Sequence, residues 1–126
     1  MVKPITDAEL EIMKILWREN RPLSFKEIRT ELEVGTDWNK STIQTLLRRL
    51  CEKGSVAAQE HYVVLYTANV SREEYVRAEV PAFLDRVFDG SAMKLVAALR
   101  RGGTLSDGDI AELRAFFKAE GGEQDE

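Results

Sequence analysis

Apolar stripes of helical period alternate with short polar breaks along this chain, and one stripe stands out. It lies in residues 39–54, NKSTIQTLLRRLCEKG. At 3.6 residues per turn Ile43, Leu46, Leu47 and Leu50 fall on one side, the i, i+3, i+4, i+7 spacing of a helix that faces a core. Ser41, Thr45 and Arg48 fall opposite, flanked by Thr42, Gln44, Arg49 and Lys53. A solvated face more often alternates Glu with Lys, whereas hydroxyls, an amide and guanidinium groups together can bond base edges and phosphates. The pattern predicts a helix over 40–53 whose free side meets DNA.

Other helix starts are marked by capping boxes, in which a hydroxyl and a carboxylate three residues on satisfy free amides. Thr6/Glu9, Ser24/Glu27 and Ser71/Glu74 fit, Ser106/Asp109 is a weaker version, and Asn39 caps the stretch above. Apolar pairs that staple the entering chain accompany them: Ile5/Leu10, Leu23/Ile28, Trp38/Ile43, Val70/Tyr75 and Leu105/Ile110. Helices are therefore predicted at 7–18, 25–32, 40–53, 72–88, 92–101 and 107–119. Leu10, Ile12, Met13, Ile15, Leu16 and Trp17 make the first helix apolar over much of its girth, so several neighbours must cover it. Gly54 is read as a left-handed cap. Residues 56–67, VAAQEHYVVLYT, read as two short antiparallel strands with a tip around Gln59-Glu60-His61.

Three helices followed by a hairpin is the winged helix-turn-helix order, with the third helix in the major groove. The expected class is mainly α with a small β-hairpin: a winged helix-turn-helix DNA-binding domain over 1–70, a three-helix dimerisation domain over 71–120, and a disordered acidic tail over 121–126. Val80, Phe83, Leu84, Val87, Phe88, Met93, Val96, Ile110, Leu113 and Phe117 line the last three helices. So few apolar residues close no adequate core alone, and a two-fold interface with a second copy would complete one. Pro81 is expected to kink the fourth helix, and Gly102-Gly103 to form a flexible joint.

Charge at first argues against nucleic acid, with 18 basic and 22 acidic residues giving a net −4. Distribution alters the picture: residues 38–53 hold Lys40, Arg48, Arg49 and Lys53 against Glu52 alone. A local cationic face in an acidic background weakens indiscriminate binding to phosphate. One cysteine, Cys51, and one histidine, His61, make a poor metal site and exclude an intrachain disulfide. Cys51 reads as a small buried thiol ahead of a redox sensor. No catalytic constellation stands out, so neither an enzyme nor a cofactor is expected. No apolar run approaches a membrane span and the N-terminus lacks a signal h-region, so a cytoplasmic chain is expected.

The run Ala8–Trp17, AELEIMKILW, followed at its spacing by Thr42-Ile43-Gln44-Thr45-Leu46-Leu47-Arg48-Arg49-Leu50 and Lys53-Gly54, resembles the penicillinase repressor family of bacterial regulators (BlaI/MecI/CopY). Tyr66, the stretch Phe83-Leu84-Asp85-Arg86-Val87-Phe88-Asp89-Gly90 and Leu105-Ser106-Asp107 extend the likeness over almost the whole chain. It implies a homodimeric repressor that binds an inverted-repeat operator, with Thr42, Thr45 and Arg49 at recognition-helix positions. Ser41 and Gln44 depart from the basic residues common there in the resistance repressors. Gln can pair with adenine where Arg prefers guanine, so an identical operator is not implied. The resemblance also implies a membrane-bound sensor protease as partner in the antibiotic-resistance branch, which is linked to cleavage at an Asn–Phe bond. Ala98–Leu99 stands at that place here, without the Asn, and no cysteine follows Cys51 to form the Cys pair of the copper-sensing branch.

The residues thus expected to touch DNA are Ser41, Thr42, Gln44 and Thr45 at bases and Lys40, Arg48, Arg49 and Lys53 at phosphates. Tyr66 would support the wing. His61 at the tip is read equally as a DNA contact or a solvated turn residue. Glu52, four residues after Arg48, can pair with it. Winged helices also dock proteins, so an adaptor without DNA binding is the alternative reading.

Overall fold

The computed structural model describes residues 2–121. It contains α1 (Asp7–Glu19), β1 (Leu23–Ser24), α2 (Phe25–Gly35), α3 (Lys40–Glu52), β2 (Val56–Glu60), β3 (Val64–Ala68), α4 (Arg72–Phe88), α5 (Ala92–Arg101) and α6 (Asp107–Gly121). The capping boxes explain why the helices begin where they do. Thr6 and Glu9, Ser24 and Glu27, and Ser71 and Glu74 each exchange both hydrogen bonds, and Ser106 with Asp109 does the same. Asn39 Oδ1 accepts from the Thr42 amide at 2.9 Å and opens α3. Gly54, at φ +79°, supplies the left-handed step that closes it.

Two features differ from the expectations. The strands form a three-stranded antiparallel sheet in the order β1-β3-β2, because Leu23 and Ser24 pair with Tyr66 and Leu65. The hairpin turns two residues later than its sequence suggests. Glu60 pairs with Val64, so His61-Tyr62-Val63 form the tip, and the His61 amide donates to the Val63 carbonyl at 3.2 Å. The last residues of the expected tail, 122–126, lie outside the described residues, while Gly121 still belongs to α6.

The chain divides into two compact units, one up to Glu79 and one from Val80 onward. In the first, α1 packs on α2, α3 and β3. Its core joins Ile12, Met13, Ile15 and Leu16 to Leu23, Ile28 and Leu32, to Ile43, Leu46, Leu47 and Leu50, and to Val56. The unit reaches past residue 70 into α4 because Trp17 holds that helix. Trp17 Nε1 donates to the Val70 carbonyl at 2.8 Å, its ring tilts against Tyr75, and the Arg72 guanidinium lies over it.

In the second unit the remainder of α4, from Val80 on, turns into α5 through Asp89 and Gly90, both at positive φ. Ser91 caps α5 by accepting from the Lys94 amide. The pair expected as a flexible joint is a formed helix end. Gly102 donates to Ala98, and Gly103 at φ +78° lets Thr104 and Leu105 both donate to the Leu99 carbonyl. No residue of α4, α5 or α6 is buried. Val80, Val87, Met93, Phe116 and Phe117 stand more than 40% exposed.

Candidate nucleic-acid interface

The outward side of α3 is available because its other side is fully spent. Ile43 and Leu50 are wholly buried and Leu46 and Leu47 nearly so, and truncating any one of them to Ala would cost about 2–5 kcal/mol. That anchorage fixes the helix about its axis. Lys40, Ser41, Thr42, Gln44, Arg48 and Arg49 are exposed and Thr45 half-buried, so the expected reading residues share one free face.

An open groove of about 830 Å³ runs between this face and the hairpin. Gln44, Lys40 and Arg48 border it from α3, Ser24, Phe25 and Lys26 from the start of α2, and Val63 and Val64 from the hairpin. Tyr66, Leu47, Cys51 and Ala58 line it as well. Tyr66 pairs across the sheet with both Leu23 and Ala58 and packs on the core, so its ring serves the groove wall. Burial raises its phenol above the ordinary value, with a contribution from Cys51. The Cys51 thiol is likewise pushed up, first by burial and then by the Glu52 carboxylate. A protonated, half-buried thiol fits the packing role.

Ion pairing engages some of the cations of this chain of net −4 and leaves others free. Arg18 pairs with Glu31 and Glu19, Arg21 with Glu27, and Arg29 with Glu33, at 2.8 to 3.1 Å. Lys26, Lys40 and Arg49 have no carboxylate within salt-bridge distance among the described residues. Arg18, Arg21 and Arg29 are thus engaged by carboxylates, whereas Lys26, Lys40 and Arg49 remain available to meet phosphate. Lys26 was not foreseen. Its place beside Lys40 and Arg48 depends on how α2 packs against α3, which no local pattern records.

Arg48 reaches Glu52 at 3.0 Å, the pairing its spacing suggests, and both ends remain exposed. Lys53 departs from its expected place among the phosphate anchors. Its ammonium turns inward to the Glu9 carboxylate and the Pro4 carbonyl. The Glu9 side chain is 1% exposed, and a carboxylate buried that deeply must be neutralised. Burial alone would push the Glu9 carboxyl up. The Lys53 ammonium and the Thr6 amide outweigh it and hold the group below its ordinary value. His61 stands exposed at the hairpin tip beside Tyr62. Among the described residues no cluster of His, Cys, Asp and Glu could hold a metal ion.

Comparison with known proteins agrees with this geometry. The family model described as penicillinase repressor matches residues 5–119. The penicillinase repressor of Bacillus licheniformis is 34% identical over 113 residues, covering 89% of this chain and 88% of its own. The methicillin resistance regulatory protein MecI of Staphylococcus aureus (strain N315) is 30% identical over 111 residues, 87% of this chain and 89% of its own. Among solved structures, the monomeric form of Bacillus licheniformis BlaI in complex with the blaP half-operator superimposes with a TM-score of 0.53 at 37% identity, covering 60% of this chain and 92% of that one. The DNA-binding domain of the repressor BlaI gives 0.54 at 36% identity, with the same coverage.

Proposed function

The chain belongs to the penicillinase repressor family and is a DNA-binding transcriptional regulator rather than an enzyme, and we propose that it represses as a homodimer reading an inverted-repeat operator through α3. The observation that carries this reading is the free face of α3, where exposed hydroxyls, an amide and cations stand together, with Lys40, Gln44 and Arg48 bordering the groove towards the hairpin. Ser41, Thr42, Gln44 and Thr45 read bases. Lys40, Arg49 and the newly identified Lys26 anchor phosphates, and Arg48 does so by releasing Glu52. The relative seen in monomeric form on a half-operator supports one protomer per half-site. Dimerisation falls to α4–α6, whose apolar residues lack cover within the chain.

The reading places the chain with the DNA in the cytoplasm. Among the described residues no helix is long and apolar enough to cross a membrane. A membrane-bound sensor protease belongs to the reading as a partner only through the family. Ala98 and Leu99 sit inside α5, with the Leu99 carbonyl accepting two amides, so cleavage between them requires that helix end to unwind.

Arg49→Ala is expected to weaken binding to operator and to random duplex alike, and to flatten the salt dependence of log K by about 0.9 per lost phosphate contact. Gel-shift titrations at several salt concentrations check it, and an unchanged slope removes Arg49 from the interface. Gln44→Ala is expected to cost about 1–3 kcal/mol on the operator and to relax preference at one base position. Site selection from a random duplex pool reads that position, and a uniform loss over all sequences contradicts a base-reading role. An adaptor would show no shift surviving near-physiological salt.

A further inference from the structure

Three residues, Asn69, Val70 and Ser71, join β3 to α4. Even so short a link swivels unless something holds it, since each residue keeps two soft dihedrals. Here every step is bonded. The Asn69 amide donates to the Ser55 carbonyl at 2.9 Å, one step beyond the Val56–Ala68 pair, so the β2–β3 ladder runs on into the link. Asn69 Nδ2 donates to the carbonyl of Gly54, the residue that closes α3, at 3.0 Å. Trp17 Nε1 donates to the Val70 carbonyl at 2.8 Å. Ser71 exchanges both capping bonds with Glu74, and the Trp17 ring meets Tyr75 at 5.6 Å with the Arg72 guanidinium over it.

The Asn69 side chain is exposed, so no core packing asks for it. Water would satisfy the Gly54 carbonyl nearly as well, which keeps the net stabilisation small. What the amide adds is direction, because it ties the end of the recognition helix to the entry of α4. That helix then runs unbroken from Arg72 to Phe88, leaving the first unit after Glu79. The angle that its first turn takes from α3 is thus the angle passed on to the helices assigned to dimerisation. In a dimer on an inverted repeat, that angle governs the distance and twist between two recognition helices. A duplex is strict about both, since each added base pair moves one half-site by about 3.4 Å and turns it by about 35°.

We propose that Asn69, together with the indole N–H of Trp17, is a positioning residue that fixes α4 against α3 and so sets which half-site spacing the dimer accepts. This rests on the dimeric reading above and adds to it how spacing is read. Neither side chain touches DNA in this role. Both act on the direction of α4, through Gly54 and Val70.

The test compares the wild-type chain with Asn69→Ala, Trp17→Phe and the two combined. Asn69→Ala removes an exposed side chain, and Trp17→Phe keeps a ring beside Tyr75 while deleting the donor. Gel shifts measure affinity for a half-site, for the inverted repeat that the wild type enriches from a random pool, and for that repeat with one or two base pairs inserted at its centre. Insertion is expected to cost the wild type about a hundredfold, most of its avidity. The double variant is expected to bind the half-site within about twofold of wild type and the native repeat about tenfold more weakly. Its insertion penalty should shrink to about tenfold, a difference that two lost hydrogen bonds can supply, with each single variant in between. A lesser fold stability alone would lower all three affinities together and leave the penalty unchanged. A penalty as steep in the double variant as in the wild type overturns the proposal and leaves the dimeric reading standing. Equal losses on half-site and full repeat also overturn it, since the bonds would then shape α3 itself. A wild-type chain that binds the full repeat no better than the half-site overturns the dimeric reading, and the proposal with it.

Discussion

Lys53→Met is expected to lower the stability of the N-terminal unit by about 2–3 kcal/mol, somewhat under the usual 3–5 for breaking a buried ion pair because Lys53 is a quarter exposed. Thermal unfolding followed by circular dichroism should show a fall in midpoint of about 10 °C or more for a unit of this size. The cause lies with Glu9. Its carboxylate is left buried without a counter-ion, and its Oε2 already has no hydrogen-bond partner among the described residues. Adding Glu9→Gln should recover most of the loss, since the amide oxygen can still accept from Thr6 N–H in the capping box while no charge remains. A phosphate-anchoring lysine would behave otherwise, weakening DNA binding with stability untouched.

Acid sharpens the test. In the wild type the Glu9 carboxyl is held below its ordinary value, so its contribution is present above about pH 4.5 and is lost as pH falls through the depressed value. Without Lys53, burial raises the same group in the folded state, which then binds the proton more tightly than the unfolded chain. The variant is accordingly most compromised at neutral pH, and its deficit should narrow as pH falls towards 5 and below. A deficit independent of pH would mean that lost packing, and not a stranded charge, is responsible.

The second large effect concerns assembly. Val87→Asp combined with Phe117→Asp is expected to convert a dimer into a monomer at micromolar concentration by light scattering. Both residues are more than 50% exposed within the chain, so helix content should not change. Affinity for the full inverted repeat should fall by about 10²–10⁴, because the second half-site no longer binds at high effective concentration, while half-site affinity stays as it was. A variant that remains dimeric, or a monomer with undiminished affinity for the full repeat, contradicts a two-fold interface on these helices.

Most of the architecture was legible in the sequence because its signals are local. A capping box closes within three residues, so the starts of α1, α2, α4 and α6 follow from Thr6, Ser24, Ser71 and Ser106 alone. The stripe Ile43, Leu46, Leu47, Leu50 likewise fixes which side of α3 is free, and the family was evident from its order of motifs. What escaped depends on distance along the chain. Strand β1 is two residues long and exists only because Leu23 meets Tyr66. The hairpin turn shifted because several registers of VAAQEHYVVLYT alternate about equally well, and only pairing chooses among them. Lys53 reads locally as one more cation on a recognition helix, but Glu9, 44 residues earlier, draws it inward. Lys26 joined the site by the converse route, since packing of α2 carries it to the groove.

Backbone amide resonances of the labelled chain, followed while the selected duplex is added, test the central claim most directly. The largest shifts are expected over residues 40–49, with Lys26 and the tip 61–64 also moving, and with residue 53 nearly still. Shifts confined to α4–α6, or an α3 that stays silent while duplex binds, would contradict the assignment of that helix to DNA.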